Sequence, residues 1–450
     1  MKSTFGGTLS AARLRWSAAF LLGAGVTSAT LAAAPSEDVG EHIRRVEHGL
    51  IPATVIRGQP MPALELSNRM AFYHVPGVSI AVINHGEIEW ARGYGETEAR
   101  SGRPVTADTI FQAASISKPV AAMAALKFVQ EGNLDLDEDV NHKLSSWKVP
   151  ENQFTKNQKV TLRRLVSHSA GLTVHGFRGY AAGEPVPSLR QVLDGAKPAN
   201  SNPIRVFLVP GAQNRYSGGG FCVLQQLLCD VAGRPFPQIL NEAVIRPLAM
   251  EHSGYYQPLP ETLSTNAAAG HGADGKVIPG RWHTYPEMAA AGLWTTPSDL
   301  ARFTTEIQRA RAGESARVIS SEMTWQMLTT QVGDTGLGVA LSGEGPTRRF
   351  SHGGANDGFR AFWVGYFETG QGVVVMANSD SGDGLNEEVL RAVAREYRWP
   401  NYRPRERAIV PVEASQIERY AGTYKLLTNM DLTLSARQGH LFVQATGQQA

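Results

Sequence analysis

The sequence predicts an α/β sandwich, a mostly antiparallel sheet flanked by helices with a helical lobe on one side and a short C-terminal β tail. Three observations carry this. Strand signals sit at both ends of the main body, helical segments fill its middle, and strands and helices do not alternate singly as in a doubly wound nucleotide-binding fold.

Taken in order, Glu41 to Leu50 reads as a short amphipathic helix with Ile43, Val46 and Leu50 on one side. Val78–Ile83 and Ile88–Tyr94 read as strands, and Asn84-His85-Gly86-Glu87 between them supplies hairpin-turn chemistry. Ser115 to about Gln130 is rich in Ala, Met and Leu and is expected to be helical, ending near Gly132. Its Pro119 is tolerated because a first-turn N–H has no helical partner. Residues 133 to 300 read as helices broken by Pro and Gly loops, among them Gly218 to Val231 and a helix capped by Thr296-Pro297-Ser298-Asp299. Strands return at Gly336–Leu341, Arg360–Phe367 and Gly372–Asn378, and Leu385–Tyr397 closes the body as a helix. Asn356-Asp357-Gly358 reads as a turn between strands.

The expected organisation is a signal peptide over residues 1–34, a body over 35–399, a linker over 400–412 and a β-rich tail over 413–450. The tail offers Tyr420–Tyr424, Leu432–Leu434 and Leu441–Val443 with a Gln438-Gly439 turn. Three short strands cannot close a barrel, so the tail either packs on the body or is the front of a larger β module. At the N-terminus, Lys2, Arg13 and Arg15 precede an apolar stretch from Trp16 to Val26 and then small residues, the pattern of a secretory signal. That stretch is shorter than the ~20 residues a bilayer span needs. Export to the periplasm or beyond is expected, with no membrane span after cleavage.

With 450 residues, 42% of them hydrophobic, and a net charge of +2, the chain can bury a sizeable core and shows no concentrated basic face for nucleic acid. The two cysteines, Cys222 and Cys229, fall two turns apart on one expected helix. That spacing is about 10 Å along the axis, too far for a disulfide, and two thiols are too few for a zinc site. Free thiols are expected.

The chemistry begins at Ser115-Ile116-Ser117-Lys118, at a helix start. A serine hydroxyl needs a base to take its proton. Three residues on a helix place Lys118 on the same face, one turn along. The helix start also offers backbone N–H groups without helical acceptors, suited to an oxyanion. No Gly-x-Ser-x-Gly elbow, His-Glu-x-x-His or phosphate-binding glycine loop competes with it, and no metal or organic cofactor is expected.

Phe111 to Lys118 resembles the first active-site motif of the serine β-lactamase, penicillin-binding-protein and D-peptidase superfamily, with class C β-lactamases and their peptidase and esterase relatives the nearest in pattern. Four more segments agree in order: Leu165–Leu172, Arg215-Tyr216-Ser217-Gly218, Gly292–Leu300 and Phe350-Ser351-His352-Gly353-Gly354. The resemblance implies that Ser115 is the nucleophile, that Lys118 and Tyr216 move its proton, and that His352 stands on an edge strand in place of the family's lysine. It implies an oxyanion hole from the N–H groups of Ser115 and Ala355, with Gly353, Gly354 and Gly218 lining the substrate. Two departures matter. Gly218 replaces an asparagine that holds the substrate amide, and His352 removes a permanent positive charge. The implied activity is hydrolysis of small esters or D-amino-acid-containing, peptidoglycan-like peptides. A class C-like β-lactamase and a non-catalytic peptidoglycan or penicillin sensor are the alternatives.

Overall fold

The computed structural model describes residues 38–62, 64–410, 412–427 and 430–446, so the expected signal segment lies outside the described residues. The body is built on a six-stranded sheet. Its strands are β1 (Gly77–Asn84), β2 (Glu87–Gly95), β3 (Ala340–Ser342), β4 (Arg349–Asn356), β5 (Phe359–Tyr366) and β6 (Gly372–Ala377). They lie in the order β2-β1-β6-β5-β4-β3, every neighbour antiparallel. The β1–β6 pairing, with Val78 opposite Ala377, joins the two ends of the body into one sheet, as the strand distribution predicts.

Period-2 alternation decides which side of the sheet each residue serves. On β1, Ala81 and Ile83 enter one core while Val78, Ile80 and Val82 enter the other; on β6, Val374 and Met376 part from Val373 and Val375 in the same way. The second core is covered by α1 (Val39–Glu47) and α6 (Gly382–Glu396). The first is covered by α2 (Ser117–Gln130), α3 (Gly218–Ala232), the short α4 (Met288–Ala291) and α5 (Pro297–Arg311), which together carry the helical lobe. Thr296 caps α5 by accepting from Asp299 N–H. Cys222 and Cys229 are free. Among the described residues, no helix is long and apolar enough to cross a membrane.

Two hairpins match their sequence signals. His85 and Gly86, at φ 51° and 76°, turn β1 into β2, and Asp357-Gly358 turns β4 into β5. Other elements differ from expectation. Gly336–Val339 is not strand; Gly338 adopts φ 88°, where an added Cβ would lie 2.4 Å from Ala122 on α2. Close packing on that helix overrides the strand signal, leaving only Ala340–Ser342 to pair. The stretch 400–412, expected as a linker, contains Arg405–Arg407 paired in parallel with Thr54–Ile56. The tail forms an open antiparallel sheet of Gly422–Leu427, Met430–Arg437 and His440–Ala445, with Tyr424, Leu426, Phe442 and Val443 exposed.

Candidate active site

Ser115 lies in a 3₁₀ turn, Ala114–Ile116, that runs straight into α2. The residue before it is strained: Ala114 has φ 50°, a region that costs a Cβ-bearing residue roughly 1–2 kcal/mol. Ser117 holds the turn, donating from Oγ to Ala114 O at 2.5 Å and accepting from Leu293 N–H at 2.9 Å. Strain supported in this way, next to a candidate nucleophile, is characteristic of functional turns.

Lys118 is 2% exposed. Its Nζ lies 2.9 Å from Ser115 Oγ and 2.7 Å from the Ala290 carbonyl oxygen of α4. A charged amine there donates to the serine, and a neutral one accepts its proton. Tyr216 immediately precedes Ser217, the residue that caps α3, and reaches the site through its ring, whose centroid is 5.0 Å from Lys118 Nζ. Its ring also lies 4.2 Å from that of His168, 4.8 Å from His175 and 6.1 Å from His352. The four residues the sequence nominates, Ser115, Lys118, Tyr216 and His352, therefore share one site.

His352 is on β4, which is not the edge strand; β3 is. β3 pairs only with Arg349–Ser351, however, so His352 to Asn356 is unpaired on that side. Ala355 lies in this segment. Gly354 sets the approach of β4 to the nucleophile turn, because an added Cβ would lie 2.3 Å from Ala113 O. Gly353 has open space where a side chain would project. Asn356 ties the strand end down, donating to Gln112 Oε1 at 2.8 Å and Ala291 O at 3.2 Å. Gly354→Ala is expected to push β4 away from Ser115. It should lower kcat/KM by at least about 100-fold, the cost of roughly 1 Å of misplacement, and steady-state kinetics beside a thermal melt checks this.

The electrostatics favour neutral imidazoles. Burial, followed by the Lys118 charge, pushes the His352 pKa down to about 4. Its Nδ1 lies 2.6 Å from Gly353 O; that oxygen only accepts, so the proton sits on Nδ1 and Nε2 keeps its lone pair. His168 is held well below the usual imidazole range by burial and then by Lys118, and its Nδ1 accepts from Ser217 N–H.

The sequence does not reveal what surrounds Gly218. An added Cβ there would lie 3.0 Å from the Phe177 ring and 3.1 Å from His175 O, and at Gly219 it would lie 2.6 Å from Thr173 O. These glycines let the loop 173–177 dock on the start of α3, where Gly218 and Gly219 donate to His175 O and Val174 O. The loop pays for this with Val174 at φ 65°, unfavourable for a β-branched residue. Phe177 thus stands where a side chain at position 218 would extend. A second residue missed by sequence is Glu287, which is fully buried beside α4 with neither carboxyl oxygen hydrogen-bonded. Burial raises its pKa to about 8. A lone acid leading the run Met288-Ala289-Ala290-Ala291 was the available signal. Nothing in the sequence places Phe177 beside Gly218.

With this geometry in hand, the family follows: the chain belongs to the Beta-lactamase family, whose model matches residues 65–397. Members of this superfamily are serine hydrolases. Protein flp of Staphylococcus aureus strain N315 is 23% identical over 320 residues, covering 68% of this chain and 60% of that one. This chain therefore spans about three fifths of that relative's length. Esterase EstB of Burkholderia gladioli is 27% identical over 267 residues, covering 53% and 66% of the two chains. The D-alanine carboxypeptidase AmpC of Burkholderia cenocepacia superposes with a TM-score of 0.61 at 18% identity, over 80% of this chain and 99% of that one, a likeness of fold.

Proposed function

We propose that the protein is an exported serine hydrolase that passes through a Ser115 acyl-enzyme. Small esters are its best substrates, D-amino-acid-containing peptides come second and β-lactams last. The observation that carries the reading is the 2.9 Å contact between Ser115 Oγ and the buried Lys118 Nζ at a strained helix start. A surface lysine with a capping serine, the plain structural alternative, would not be buried in this way, and a sensor without chemistry would not need the contact.

In this reading Ser115 Oγ attacks the substrate carbonyl carbon while its proton passes to Lys118 and Tyr216, which act as a coupled pair. The backbone N–H groups of Ser115 and Ala355 hold the oxyanion. The leaving alcohol or amine takes the proton, and water then attacks the acyl-enzyme by the same route to release the acid and restore Ser115.

Two features support esters. Phe177 gives position 218 an aromatic neighbour and no side-chain amide, so a substrate amide loses a partner there. A neutral His352 offers no full positive charge to a carboxylate, which β-lactams and C-terminal D-peptides both carry. The likeness to EstB points the same way, and the basic and apolar N-terminus supports export. Assayed side by side, p-nitrophenyl butyrate should exceed nitrocefin in kcat/KM by at least about 100-fold, with a D-alanyl-D-alanine peptide between them. Faster turnover of nitrocefin would overturn the substrate reading.

A further inference from the structure

On the α6 side of the sheet, away from Ser115, a cavity of about 630 Å³ opens between the end of α6 and the segment that follows it. Four arginines line it: Arg391, Arg395, Arg398 and Arg403. Arg391 is held by Ile51 O at 2.8 Å and by Glu387 at 3.2 Å, whereas Arg395 donates to Gly49 O at 3.0 Å. A backbone carbonyl orients a guanidinium without cancelling its charge. Among the described residues no ion pair is formed by Arg395, Arg398 or Arg403. The one carboxylate in the lining, Glu406, lies 3.7 Å from Arg57, outside the cavity wall. Three of the four arginines therefore bring positive charge to the cavity with no ion-pair partner, against the single carboxylate of Glu406.

Trp399, 3% exposed, and Asn401 belong to the wall, with the Trp399 indole nitrogen and the Asn401 amide nitrogen buried inside it without a hydrogen-bond partner. Asn401 Oδ1 already accepts from Tyr366 O–H, so the free group is the donor. Guanidinium N–H groups only donate, so the exposed arginines seek an acceptor. A neighbouring cavity of about 510 Å³ shares Arg391 and Arg403. Asp383 and Glu387 also line it, so its charge is balanced and it stands apart from the site. The wall is also firmly held: Arg349 donates to Tyr402 O–H at 3.0 Å, and Arg405–Arg407 pairs with Thr54–Ile56.

We infer that this arginine-lined cavity is a binding site for an anionic phosphate group. Such a group supplies several acceptor oxygens and negative charge to offset the excess of arginines over the one carboxylate, and arginine forks match its geometry. The phosphate could belong to a free solute or to an anionic lipid headgroup, and one experiment separates the two.

The full chain is titrated with pyrophosphate, at constant ionic strength set by sodium chloride, while its thermal midpoint and tryptophan fluorescence are followed. It is then sedimented with phosphatidylglycerol vesicles and, as a control, phosphatidylcholine vesicles. A saturable pyrophosphate response identifies a free phosphate ligand, and selective sedimentation with phosphatidylglycerol identifies a headgroup. The exposed-residue variant Arg398→Gln/Arg403→Gln should weaken either response at least tenfold and leave ester hydrolysis unchanged. Glu406→Gln, which removes the carboxylate from the lining, should strengthen it. Absence of both responses in the unaltered protein overturns the inference, as does an equal response in the double variant.

Discussion

Ser115→Ala is expected to lower ester kcat/KM by at least about 10⁴-fold, because it removes the atom that carries the acyl group and leaves only binding and the oxyanion donors. The same variant should lose all labelling by a fluorophosphonate. Lys118→Ala should fall nearly as far, and the double variant scarcely further, because residues acting as one unit do not contribute additively. Folding should survive the serine change: Ser115 is only half-buried, and the turn is held by Ser117 through Ala114 and Leu293. Full activity in Ser115→Ala would end the assignment of this residue.

The second large effect concerns stability. Glu287 is buried without a hydrogen-bond partner, and burial raises its pKa from 4.5 to about 8. A carboxyl whose folded pKa exceeds its unfolded value takes up a proton on folding. Its contribution to stability is fully present below about pH 4.5 and is lost as pH rises through about 8. The whole span corresponds to about 5 kcal/mol at 1.36 kcal/mol per pKa unit. Glu287→Gln keeps the shape of the neutral acid and has nothing to ionise. Relative to the unaltered protein, its stability should therefore rise between pH 5 and pH 8 by several kcal/mol, read from urea unfolding at both values. Parallel pH dependences in the two proteins would show that Glu287 is not protonated in the fold. Because α4 also presents Ala290 O to Lys118, the unaltered enzyme should lose activity with structure above about pH 8.

The sheet was legible because its strands carry their instructions locally. Val78–Ile83 alternates between two cores, and His85-Gly86 and Asp357-Gly358 are turns whose residue types suit their backbone angles. The pair Ser115 and Lys118 was legible for a similar reason, since a three-residue spacing fixes a shared helix face. Tyr216 and His352 came from motif resemblance, and the fold brings both to that pair. Tertiary contacts decided what sequence missed. Gly336–Val339 looks like strand until α2 packs against Gly338. Arg405–Arg407 looks like linker until Thr54–Ile56 pairs with it from the far end of the chain. Phe177 lies beside Gly218 only because Gly218 and Gly219 let the loop 173–177 close on α3, and no local pattern encodes which loop does so. His352 was placed on the wrong strand of the right edge, because the strand beyond it is only three residues long.

The central claim is a covalent intermediate on Ser115. The most direct measurement is intact-protein mass after a millisecond acid quench with p-nitrophenyl butyrate, followed by peptide mapping. A mass increase of one butyryl group is expected, confined to the peptide containing Ser115 and absent from Ser115→Ala. Turnover of the ester with no adduct at any quench time, or an adduct on another residue that survives in Ser115→Ala, would contradict it.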